Sequence, residues 1–279
     1  YVGDRAAFFV DQDAPEGGYT SDDLRAFSDQ FDHVIWPVVT SAFGDPSDLD
    51  ANERIVILFT PVVNALTPRG ATGFIGGFFF GLDLLPDETG SNAGELFYSL
   101  VPDPDGEYSD PRPKSALQEI TPAVLSHELQ HMVNFNERVL LRGAQANEAV
   151  WLSEGLAQFA EELVARSYEE AGDVENTELF REGVRDRSRR YLGDTENVSL
   201  IISSGNGTLE ERGAGYLYTA YLTDRFGSDL PGRLARTTRT GVANVEAETG
   251  TPWRDVLSDW WAAVVLDEPG AEAAPLAYP

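Results

Sequence analysis

Two histidines four residues apart with a glutamate between them, His127-Glu128-Leu129-Gln130-His131, constrain this chain more than any other feature of its sequence. On a helix such a pair lies one turn apart on one face, so both imidazoles point into the same space. Val124, Leu125, Leu129, Met132 and Val133 surround them and bury the rest of the helix. The fold must therefore build a core around this helix and leave a cleft over one of its faces. Thr121 as N-cap and Pro122 at the first helical position predict a helix start six residues before His127.

Neutral imidazoles at this spacing hold Zn²⁺ at about 2.0–2.1 Å, and Glu128 stands where a base for an attacking water is needed. One catalytic zinc is the expected cofactor, and it needs a third protein ligand. Glu137 lies six residues after His131, but Asn134 replaces the glycine of that pattern and Met132, the single methionine, excludes a downstream methionine turn. Glu154 opens a second amphipathic helix, with Leu152, Leu156, Phe159, Ala160 and Leu163 at helical spacing. The 22 residues between His131 and Glu154 leave room for a turn at Gly143 and an antiparallel return. Glu154 is the favoured ligand, with Glu137, Glu148 and Glu161 as alternatives. Glu161, two turns beyond Glu154, is also placed to orient a histidine.

The 279 residues suffice for a sizeable core shared by two subdomains, and 42% hydrophobic content argues for a folded chain. Twenty basic against 47 acidic residues give a net charge of -27, which repels phosphate backbones and excludes nucleic acid as a partner. With no cysteine, thiol nucleophiles, disulfides and cysteine-ligated metals are excluded. The longest apolar run, Gly73 to Leu82, is far shorter than the roughly 18 residues of a membrane span. The chain starts at Tyr1 without a signal pattern, and the expectation is a mature or excised form acting outside the cell or at its surface.

Strands are expected at Arg5 to Asp11, at Arg54 to Thr60 (covered on both faces) and at Glu95 to Val101, and Gly73 to Leu85 reads as another strand or a hairpin. Ser21 is read as the cap of a helix through Leu24, Phe27, Phe31, Ile35 and Trp36, ended or kinked by Pro37. From Thr121 onward the pattern is helical, to a final helix packed through Trp260, Trp261, Val264, Val265 and Leu266. The layout is α+β: an N-terminal mixed sheet with the histidine-bearing helix at 1–133, a mainly helical subdomain at 134–268, and a frayed tail at 269–279. Asp48-x-Asp50-x-Asn52 begins like a calcium loop, but Glu53 and Phe59 occupy positions that a calcium loop gives to glycine and glutamate. It is read as a turn, and Ca²⁺ is not supported.

His127-Glu128-x-x-His131 followed by Trp151-Leu152-x-Glu154-Gly155-Leu156 resembles the gluzincin metallopeptidases, and the wider pattern is similar to the hyicolysin-type neutral metallopeptidases of bacteria. Arg54 to Asn64, Gly76-Gly77-Phe78-Phe79, Glu95 to Tyr98, Ala214 to Tyr218 and Leu222-x-Asp224-Arg225 extend the match over most of residues 1 to 230. The resemblance implies a zincin-like fold and a zinc endopeptidase acting on protein or peptide substrates, with His127, His131 and Glu154 on the metal and Glu128 as general base. Two positions depart from it. Gln158 replaces an aspartate four after the ligand glutamate, and Arg212 stands three before Gly215 where aminopeptidase-type relatives carry tyrosine.

Such relatives place a histidine or tyrosine oxyanion donor downstream of the glutamate ligand, and no histidine follows His131. Tyr216 is the preferred donor here, in a segment whose small residues let backbone approach a substrate; Tyr218, Tyr221 and Arg212 are the alternatives. Glu95 to Val101 is the expected edge strand along which substrate pairs. An aminopeptidase of the same chemistry and a non-catalytic adhesion module with a structural metal are the competing readings. A closed structural site has no use for a base at Glu128, which favours catalysis.

Overall fold

The strand signals of the first hundred residues assemble into one small sheet. In the computed structural model, which describes residues 1–265, β1 (Ala6–Val10), β2 (Ile55–Phe59), β3 (Gly77–Phe79) and β4 (Leu96–Ser99) lie in the order β1-β2-β4-β3. β1, β2 and β4 are parallel, while β3 runs antiparallel to β4. The register aligns Phe8, Ile57, Phe97 and Phe79 on one face and Phe9, Leu58, Tyr98 and Phe78 on the other. Phe8, Ile57 and Phe97 are buried, whereas Phe9 is half exposed. The Arg54 to Thr60 run is therefore not covered equally on both faces: Ile55, Ile57 and Phe59 are buried, and Val56 and Leu58 are partly open. Strand alternation thus splits a continuous apolar run between a fully buried face and a partly open one.

The expected edge strand also moves. β4 is bonded on both sides, to β2 and to β3, so Glu95 to Val101 lies inside the sheet, and β3 forms the edge. β3 needs glycine to lie this close to its neighbours. A Cβ on Gly77 would come within 2.8 Å of the Tyr98 carbonyl and 3.1 Å of Val124.

Helix α1 (Ser21–Gln30) starts from Thr20, one residue before the expected cap; the Thr20 hydroxyl accepts from the Asp23 N–H and the Asp23 carboxylate accepts from the Thr20 N–H. It continues through a π turn at Phe31–Ile35 into α2 (Trp36–Phe43), so Pro37 begins a helical segment rather than ending one. A short α3 (Pro61–Ala65) follows β2. The histidine-bearing helix α4 spans Lys114–Phe135 and carries Pro122 inside it, so it begins two turns earlier than Thr121 and Pro122 imply. Asp23 explains the earlier start, because its carboxylate accepts from Lys114 Nζ (3.1 Å) and Gln118 Nε2 (2.7 Å) and ties the first turn of α4 to α1.

Beyond α4 the described residues form helices joined by turns and loops: α5 (Val150–Glu170), α6 (Val174–Leu192), α7 (Leu209–Phe226), α8 (Leu230–Ala235), α9 (Gly241–Thr249) and α10 (Trp253–Val265). Trp260 packs within 5.8 Å of the Tyr191 ring and 5.2 Å of the Tyr218 ring, whereas Trp261 and Val265 face solvent. Leu266 and the tail from residue 269 lie outside the described residues. The whole is a zincin-like α+β fold, with α4 joining sheet and helices.

The small residues of α7 serve its neighbours. A Cβ on Gly155 of α5 would lie 2.6 Å from the Gly215 carbonyl, and one on Gly213 would lie 2.0 Å from the Arg187 carbonyl of α6. Gly213, Ala214 and Gly215 thus let three helix backbones meet, rather than admitting a substrate as the sequence alone implies. Gly155→Ala is expected to force α5 and α7 apart and lower stability by about 1–3 kcal/mol. Thermal and denaturant unfolding check it, and an unchanged midpoint would refute the contact.

Candidate metal centre

Local helix geometry and the packing of α5 on α4 bring three side chains together. His127 and His131 lie one turn apart with ring centroids 4.8 Å apart, and Glu154 from the first turn of α5 faces them. Glu154 Oε2 lies 3.4 Å from His127 Nε2, and Glu154 Oε1 lies 3.9 Å from His131 Nε2. One ligand atom from each lies within 4.8 Å of the others. Tetrahedral ligands around one zinc stand about 3.3 Å apart, so this spacing suits a single ion after small adjustment. Glu154 Oε2 is also buried without a hydrogen bond among the described residues, as an atom meant for a cation would be.

The far side of each imidazole is held in turn. His127 Nδ1–H donates to Glu161 Oε1 at 2.8 Å, and Arg187 Nη2 donates to both Glu161 oxygens at 3.0 and 2.8 Å. His131 Nδ1 meets the Ser153 hydroxyl at 3.2 Å. With a proton on each Nδ1, both Nε2 lone pairs are left for a metal. Glu128 Oε2 accepts from the backbone N–H of Phe79 at 2.9 Å, which ties it to the edge strand.

The three buried carboxylates titrate differently. Burial raises Glu128, and the His127 charge and the Phe79 N–H counter it only in part. Burial also acts on Glu154, but the close His127 imidazole and the Arg212 charge outweigh it and hold the group at about 2. Glu161 is likewise lowered: burial is overcome by Arg187 and His127. In the imidazoles burial favours the neutral form; contacts with Glu154 and Glu161 nevertheless lift His127 to about 9, while burial and the His127 charge push His131 down to about 4.

The other expected residues fall elsewhere. Glu137 pairs with Arg142 and lies against Gly44, because the chain after α4 makes a π turn at Asn136–Leu140 that carries it off the histidine face. Glu148 is paired with Arg138 at 3.1 Å. Tyr216 does not join the group: burial raises its phenol, and the charges acting on it are Glu162, Arg166, Arg181 and Asp224. Tyr218 is enclosed by Trp151, Trp253 and Trp260. The residue of α7 that reaches the group is Arg212, with Nη1 3.3 Å from Glu154 Oε2. Helical rotation decides this, since α7 turns Gly215 toward α5 and carries Tyr216 round to another side. Sequence reading missed Ser153, Arg187 and the Phe79 N–H; Ser153, next to Glu154, was the one with a local signal.

Asp48 to Asn52 forms the expected turn. Asp48 and Asp50 accept backbone N–H groups from Glu53 and Asn52, and their carboxylates also come within 4.8 Å of that of Glu95.

No protein-family model matches the chain. The neutral metalloprotease ShpI of Staphylococcus hyicus is 30% identical to it over 145 residues, which is 52% of this chain and 31% of that protein. The chain thus spans about a third of the length of this curated relative, and the resemblance to a bacterial neutral metallopeptidase rests on sequence beyond the histidine motif.

The shifted histidines make metal uptake pH-dependent. His127 is protonated below about 9 and His131 only below about 4, so binding displaces one proton between these limits. Apparent affinity for a divalent metal should fall about tenfold for each pH unit lost within that window. Competition against a chelating indicator at several pH values checks the slope; a flat profile would contradict it.

Proposed function

We propose that this chain is a zinc-dependent endopeptidase in which His127, His131 and Glu154 hold the metal and Glu128 is the general base. The observation that carries the reading is the convergence of both Nε2 atoms on Glu154, with Glu128 beside them and bonded to the edge strand. Held by His127, His131 and Glu154, zinc would supply Lewis-acid activation of water and of the scissile carbonyl. Glu128 takes the proton of the attacking water and passes it to the departing amine, a role suited to the one carboxylate of the three in which burial outweighs the neighbouring positive charges. Glu161 and Ser153 hold the imidazoles in orientation and tautomer.

The substrate is an extended protein or peptide segment that adds to the open side of β3, so the pairing role expected of β4 passes to Gly77–Phe79. The division near residue 133 gains a functional sense in this reading: His127, Glu128 and His131 come from one side of it, Glu154 and Arg212 from the other. Action outside the cell or at its surface fits the net charge of -27, which favours solubility. Among the described residues no helix is long and apolar enough to cross a membrane.

The test joins metal analysis to peptide hydrolysis. The wild-type chain should carry one zinc, cleave an unfolded protein, lose activity to a chelator and regain it with zinc. Glu128→Gln should keep the metal and lose about 10²–10⁴-fold in kcat. Glu154→Ala should release zinc on dialysis and Glu137→Ala should not, since Glu137 is engaged by Arg142. Full activity in Glu128→Gln, or zinc lost only from Glu137→Ala, would overturn the assignment.

A further inference from the structure

The peptidase reading leaves one role open. Water addition to a scissile carbonyl forms a C–O bond and moves the C=O π pair onto oxygen, and a preorganised donor beside that oxygen contributes strongly to the rate. No histidine follows His131, Tyr218 is enclosed among tryptophans, and Tyr216 stands among Glu162, Arg166, Arg181 and Asp224.

Arg212, in the first turn of α7, meets the requirement. Its backbone is fixed by the Thr208 carbonyl, which accepts from its N–H at 3.0 Å, and by Gln158 Nε2, which donates to its carbonyl at 2.9 Å. Its guanidinium is anchored at one corner, where Nε donates to the Asn206 carbonyl at 3.0 Å. The other end is ion-paired with Glu154, with Nη1 3.3 Å from Oε2, which sets its donors beside the ligand set. The side chain is also 24% exposed, so it is not sealed inside the core. Gln158, which departs from the aspartate of thermolysin-like relatives, is thereby explained as the residue that holds the Arg212 backbone.

We propose that Arg212 is the oxyanion donor of this site: its guanidinium receives the scissile carbonyl oxygen as that oxygen becomes an anion. The inference rests on the peptidase reading. The water proton goes to Glu128 as the C–O bond forms; on collapse the C=O re-forms, the C–N bond breaks and Glu128 returns the proton to the amine. Arg212 exchanges no proton and binds the anion throughout, as an always-charged fork of donors can.

The experiment uses the zinc-loaded chain, a peptide substrate and a peptide phosphonamidate whose tetrahedral anion mimics the oxyanion. Arg212→Gln should keep one zinc per chain and hold KM nearly constant, while kcat falls about 10²–10³-fold and the phosphonamidate Ki rises by a similar factor. Arg212→Lys, which keeps the charge but not the fork, should fall between the two; it serves as the measured variant if Arg212→Gln does not fold. Loss of zinc from these folded variants would make Arg212 a clamp on Glu154, and an unchanged phosphonamidate Ki would remove it from the oxyanion; either overturns the proposal. A wild-type chain that binds zinc but neither cleaves peptide nor binds phosphonamidate would instead overturn the peptidase reading beneath it.

Discussion

The centre of this protein depends on how charge is balanced where water is excluded. Glu128, Glu154 and Glu161 are all buried beside His127 and His131, and a lone carboxylate in such surroundings would take up a proton rather than remain an anion. Here three carboxylates stand against the guanidiniums of Arg187 and Arg212 and the imidazolium of His127. In the proposed function a divalent ion held by His127, His131 and Glu154 would replace the His127 proton and leave one more positive charge in the cluster. Such a cluster would carry a surplus that a negatively charged oxygen cancels, a condition that would favour the charge the proposed reaction develops on a carbonyl.

That balance requires elements far apart in the chain to meet at short range. Glu154 is set by its neighbour Gly155, whose missing side chain lets α5 lie against Gly215 of α7, and the same contact delivers Arg212 to the Glu154 carboxylate. On the opposite side Gly77 lets β3 lie against α4 at Val124, and the Phe79 N–H then reaches Glu128. The base is therefore joined to the strand whose edge would carry a substrate, and the ligand glutamate to the helix that carries the cation. Two backbone approaches, each open only to glycine, hold the two halves of the chemistry in register.

Features encoded within a few residues were legible before the fold was known. The spacing of His127 and His131, the apolar positions around them and the helical pattern after Gly155 are local, and helix periodicity alone turns them into faces. The start of α4 was misread for a reason equally physical: Thr121-Pro122 is a good helix start locally, but contacts from Asp23 in α1, about ninety residues earlier, extend the helix past it to Lys114. The edge strand was misread because hydrophobicity reports burial and not order. Glu95 to Val101 is strongly apolar since it has neighbours on both sides, whereas Gly77–Phe79 is short and glycine-rich as an edge allows.

The sequence by itself therefore determined the residue types that meet at the centre, the helix on which two of them stand, and the division into a small sheet followed by helices. Tertiary structure decided which groups serve them: Arg187 behind Glu161, Ser153 behind His131, the Phe79 N–H behind Glu128, and Arg212 rather than Tyr216 beside Glu154. Periodicity specifies which residues share a face but leaves free the rotation of one helix about its axis relative to another. That rotation is set by interlocking backbones such as those at Gly155 and Gly215, and no local pattern records it.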